Sequence, residues 1–80
     1  MSTQKLVRMA NQIAIFFRTQ PEAAAVAGVA DHIKSFWNPM MRREIYSHLK
    51  NGGEGLDPLA RRGLETLMAR DAAVADEDTK

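Results

Sequence analysis

Apolar residues return every three or four positions through most of this chain, and each such run opens at a polar cap or a proline. From Lys5 to Arg18, the side chains of Leu6, Met9, Ala10, Ile13, Phe16 and Phe17 fall on one stripe at about 100° per residue, which predicts an amphipathic helix. Ile15 points nearly opposite that stripe and Val7 lies well to its side. A single core would leave both near water, either as contacts for another subunit or as ordinary stray surface hydrophobes.

Pro21 suits a first helical position, because its missing amide hydrogen would be unpaired there anyway, and Thr19 or Gln20 precedes it as a cap. The second helix then buries Val26, Val29, Ala30, Ile33, Phe36 and Trp37, while Gly28, off that stripe, admits a close neighbour. Asn38-Pro39 repeats the cap-and-proline start. It opens a third helix running to about Lys50, with Met41, Ile45, His48 and Leu49 on one side and Arg43, Tyr46 and Lys50 turned elsewhere.

Asn51-Gly52-Gly53-Glu54-Gly55 breaks the pattern, and Asp57-Pro58 starts a fourth helix with Leu56, Leu59, Ala60, Gly63, Leu64 and Leu67 for its apolar face. Gly63 inside that helix suggests tight helix contact. Beyond Arg70 the only large apolar residue is Val74, so residues 71–80 read as a flexible acidic tail after a helical domain over 1–70. No alternation of strand period appears. The expected class is all-α, a compact bundle of about four short helices.

Eighty residues make one domain at most, and a chain of this length hides only about 60–65% of its unfolded surface, so burial against a partner is a natural source of extra stability. Cysteine is absent, which removes disulfides, thiolate metal ligands and thiol catalysis and fits a reducing compartment. No apolar run approaches the roughly 18–20 residues of a membrane span and the amino terminus lacks a signal pattern, so a soluble cytoplasmic protein is expected. The formal charge of +1 is unevenly spread: ten Lys and Arg face six Asp and Glu over residues 1–70, against one lysine and four acids over 71–80. A body this weakly basic gives little support to a nucleic-acid-binding regulator, which usually shows a dense basic stripe.

Candidate chemistry is thin. His32 and His48 lie on different predicted helices, without an HExxH pair or a cysteine, so a zinc site would need carboxylates that the sequence does not place. Asp31 and His32 are helix neighbours and do not face each other, whereas His32 and Ser35 share a side but have no third group to orient them. The glycine cluster follows a helix and precedes no lysine, so it reads as a loop needing positive φ rather than a phosphate cradle. No catalytic, cofactor-binding or metal-ligating residue is assigned.

Docking is the better reading. Phe36, Trp37 and Tyr46 are three of five aromatic residues and sit beside Met40, Met41, Arg42 and Arg43, residue types enriched where proteins anchor other proteins. The expected partner-binding set is His32, Phe36, Trp37, Asn38, Pro39, Met40, Arg42 and Arg43, with Ile15. Trp37 serves either as the anchor or as a corner of the core. His32 either borders the core or bonds to a partner or its cofactor, and the arginines are either solvated or paired with partner carboxylates.

Three segments carry a resemblance. They are Leu6-Val7-Arg8-Met9-Ala10-Asn11-Gln12-Ile13-Ala14 leading to Phe16-Phe17, Ala30-Asp31-His32 through Phe36-Trp37-Asn38-Pro39 to Met41-Arg42, and Gly52-Gly53 through Gly55-Leu56-Asp57-Pro58-Leu59. In this order, over residues 5–68, the chain resembles the delta subunits of soluble, NAD-dependent, molybdenum-type formate dehydrogenases. The resemblance implies a non-catalytic accessory subunit docking on and stabilising the alpha subunit, within a complex that also holds beta and gamma subunits. It implies that those larger subunits carry molybdenum pterin-guanine dinucleotide, iron-sulfur clusters, FMN and the NAD site, with no cofactor in this chain. A transient factor assisting insertion of the molybdenum cofactor is the alternative.

Overall fold

The computed structural model describes residues 2–78, with side chains as far as Ala72. The described residues form four helices, α1 Thr3–Phe17, α2 Glu22–Phe36, α3 Pro39–Lys50 and α4 Pro58–Asp78, and no strand. Ser2 caps α1 by accepting the Lys5 amide at 3.1 Å, and Asn38 caps α3 by accepting the Met41 amide at 2.9 Å, with Pro39 at the first helical position. Asp57 does the same for α4, its Oδ2 accepting the Ala60 amide at 3.3 Å. Helix α2 departs from expectation. Pro21 is itself the extended residue before the helix, and no side chain caps that end.

Each helix turns a stripe inward. Leu6, Ala10 and Ala14 of α1, Val29, Ala30 and Ile33 of α2, Ile45 and Leu49 of α3, and Ala60, Leu64 and Leu67 of α4 form one core, closed at the α2–α3 corner by Trp37. Alanines dominate the facing positions of α1 and α2, which lets the backbones come close. Gly63 goes further: a Cβ there would overlap the side chain of Val29, so glycine is what permits α4 to lie directly on α2, its most extensive neighbour.

Four expectations change once tertiary contacts are present. Val7 is buried because the glycine loop crosses it; a Cβ at Gly55 would sit 3.4 Å from Val7 Cγ1. Tyr46 also turns inward and joins the core. Phe16 and Phe36, expected inside, stand in solvent at 74% and 73% exposure. The α1 stripe is centred on Leu6, Ala10 and Ala14, and Phe16 lies about 120° round the helix from Ala10. At the end of α2, Trp37 rather than Phe36 is the ring that enters the core, which leaves Phe36 outside.

The loop between α3 and α4 is held from three sides. Asn11 of α1 donates to the Gly55 carbonyl and accepts the Asp57 amide, both at 2.9 Å; His48 Nε2 meets the Glu54 carbonyl at 2.8 Å; Arg61 donates to the Gly52 carbonyl at 2.7 Å. Gly53 has φ of 64°, in the left-handed region that favours glycine, and the Arg61 guanidinium lies where a Cβ would project. Helix α4 continues past Arg70, where a tail was expected, and Asp71 is engaged with α3. The rest of that expected acidic tail, from Ala73 onward, lies outside the residues whose side chains are described.

Candidate docking surface

An aromatic ladder crosses from α1 to α2. The rings of Phe16 and Phe17 meet edge to face at 5.0 Å, Phe17 and His32 at 6.3 Å, and His32 stacks at a tilt on Phe36 at 4.6 Å. The ladder is seated by a missing side chain. A Cβ at Gly28 would lie 2.5 Å from Phe17 Cδ1, so the glycine on α2 supplies the notch that takes the Phe17 ring. Phe17 is half-buried, its neighbours Phe16 and Phe36 face water, and Ile15 and Met40 are exposed at 52% and 72%. Phe16 and Phe36 are thus joined through Phe17 and His32 into one partly exposed aromatic strip, and Ile15 and Met40 are two further exposed apolar side chains.

The proposed partner-binding set divides into residues that face outward and residues the fold uses. Ile15, His32, Phe36, Met40 and Arg43 are exposed or half-buried, so a partner can reach them. Trp37 is not among them. It is 4% exposed, which makes it the corner of the core and removes it as a direct anchor. Asn38 and Pro39 are exposed residues whose role in the fold is to start α3.

Arg42 is also turned inward. Its Nη1 donates to the Trp37 carbonyl at 3.0 Å and the Lys34 carbonyl at 3.4 Å, so an arginine against the dipole of α3 neutralises the carboxyl end of α2. Its buried Nε lies 3.4 Å from Asp71 Oδ2, close enough for charge attraction though not aligned as a hydrogen bond. Asp71 additionally accepts the Tyr46 hydroxyl at 2.7 Å and faces Lys34 Nζ at 3.7 Å. Burial, and then the Asp71 carboxylate, hold the Tyr46 phenol well above its ordinary pKa of 10. Residues of α2, α3 and α4 thus meet at one carboxylate. The acidic composition after Arg70 hid this role, because no local pattern announces a partner 25 residues away.

The two histidines do different things. His32 belongs to the ladder, and His48 holds the glycine loop. Among the described residues no group of three or more His, Cys, Asp or Glu side chains could hold a metal ion, and no helix is long and apolar enough to cross a membrane. A concavity of about 460 Å³ opens between α1, His48 and the glycine loop and shares no residue with the ladder.

These features define a small helical module whose distinctive surface is apolar and aromatic. The chain belongs to the family described as NADH-dependent formate dehydrogenase delta subunit, FdsD, whose model matches residues 5–64. Neither the curated proteins nor the solved structures contain a match to it. The three segments behind the resemblance meet in space: Asn11 from the first clamps Gly55 and Asp57 from the third, and Trp37 from the second packs in the same core as Leu6.

Proposed function

We propose that this chain is a non-catalytic accessory subunit that docks on the alpha subunit of an NAD-dependent formate dehydrogenase and stabilises it, through the ladder of Phe16, His32 and Phe36 with Ile15, Met40 and Arg43 at its edges. The observation carrying this reading is the exposure of Phe16, Phe36 and Met40 beside a core that is already closed. Membership of the delta-subunit family supplies the partner complex. Within that complex, the formate chemistry, the molybdenum pterin cofactor, the iron-sulfur clusters, FMN and NAD belong to the larger subunits, and the setting is the cytoplasm. This chain has no cysteine thiolates with which to ligate a cluster.

The test is to purify the tagged chain at endogenous level from its native cells. Recovery of the alpha subunit at one copy per chain, in material that reduces NAD⁺ with formate, is the expected result. Phe36→Ser should lower that recovery about tenfold or more while the variant stays folded. Recovery only with cofactor-free alpha subunit would instead indicate a maturation factor, and recovery of no formate dehydrogenase subunit would reject the proposal.

A further inference from the structure

The outer face of α1 carries cations and large apolar side chains on one exposed strip. Lys5, Arg8, Gln12, Ile15 and Phe16 are all exposed, and at about 100° per residue they form one strip roughly 100° wide and about 16 Å long. The strip is cationic at its start and apolar at its end. Helix α1 contains no acidic residue at all. Five other cations are matched within the fold: Arg18 faces Asp57, Lys34 and Arg42 face Asp71, Arg62 faces Glu22 and Arg70 faces Asp31, whereas Arg43 and Lys50 on α3 share the exposed state of Lys5 and Arg8. Neither Lys5 nor Arg8 has such a carboxylate among the described residues. Lys5 also lies in the first turn of the helix, where the backbone dipole disfavours positive charge.

We infer that this face receives an amphipathic segment of the partner polypeptide, with carboxylates opposite Lys5 and Arg8 and large apolar side chains opposite Ile15 and Phe16. The inference rests on the accessory-subunit reading above and gives the partner surface its chemistry and direction. Phe16 belongs to both the strip and the ladder, so the two surfaces are continuous. A second copy of this chain does not fit. Two-fold pairing of α1 with itself would set the cations either against each other or against Ile15 and Phe16, leaving charges covered and unpaired. An acidic partner would instead relieve the dipole conflict that the free chain carries.

The test uses the assembled complex from native cells, with a photo-crosslinking amino acid in place of Gln12 and, separately, the double variant Lys5→Glu with Arg8→Glu. The crosslinked peptide should come from a formate dehydrogenase subunit and carry Asp or Glu on the side toward Lys5 and apolar residues toward Phe16. The double variant should retain the complex about tenfold less well at about 0.1 M salt, with the difference shrinking toward about 1 M as screening shortens from about 10 Å to about 3 Å. Acids at the start of α1 suit its dipole, so the isolated variant should be at least as stable as the parent. Lost retention with lost folding would therefore count against the inference. A crosslink to a second copy, to nucleic acid or to a peptide without acids would overturn it, as would undiminished retention by the variant. If the unaltered chain retains no formate dehydrogenase subunit, the accessory-subunit reading fails first and takes this inference with it.

Discussion

The α2–α3–α4 corner and the outer side of α1 with the aromatic ladder are built from similar residues and treat them oppositely. At the corner the inward charges converge: Arg42 bonds the end of α2, Asp71 collects Tyr46, Arg42 and Lys34, and Trp37 is buried in the core beside them. Along α1 and the ladder the aromatic rings are stacked but uncovered, and Lys5 and Arg8 have no carboxylate among the described residues. A domain of this size has little stability to spare, so polar and apolar groups that could pair internally usually do. The unmatched side is the one that the proposed docking would cover.

The comparison breaks most sharply at Trp37. Trp37→Ala should cost about 3–5 kcal/mol, most of the stability of a domain this small, and the loss should appear as a collapsed denaturation midpoint of the isolated chain. An anchor lying in the interface would instead weaken docking and leave the isolated fold intact. The mirror case is Phe16→Ser with Phe36→Ser. There the isolated chain should hold its midpoint within about 0.5 kcal/mol of unfolding free energy, while recovery of the complex falls by about 2 kcal/mol or more.

Asp71→Ala sharpens the corner by leaving Tyr46 without its acceptor and Arg42 without its facing carboxylate, at about 1–3 kcal/mol in urea unfolding, with docking unchanged. The smallest effect is that of Tyr46→Phe, about 1 kcal/mol for one hydrogen bond. It also carries a pH signature. The folded phenol holds its proton above the ordinary pKa of about 10 that it regains on unfolding, so its contribution is complete below pH 10 and is lost as pH rises above it. Unfolding titrations of the parent should therefore fall more steeply above pH 10 than those of Tyr46→Phe, and coincident curves would remove Tyr46 from the corner.

Much of the architecture was legible in two dipeptides and a cluster. Asn38-Pro39 and Asp57-Pro58 start α3 and α4 where cap chemistry requires, and the glycines end α3 where positive φ is needed. Gly28 and Gly63 were readable as close approaches, though not what approaches them. The site was legible only by region. A period of 3.6 locates a stripe but not its exact centre, so it places Phe16 and Phe36 in a core that Trp37 enters and Phe17 only borders. Val7, Tyr46 and Asp71 were missed for a common reason: each is placed by a segment remote in the chain, the glycine loop for Val7 and the α3–α4 crossing for the others.

Hydroxyl-radical footprinting of the chain, free and within the purified formate dehydrogenase complex, tests the docking face most directly. Phe16, Phe36 and Met40 should label readily in the free chain and become protected in the complex, while Trp37 stays unlabelled in both. Equal labelling of Phe16, Phe36 and Met40 in the two states, with protection falling on another face, would contradict docking through the ladder.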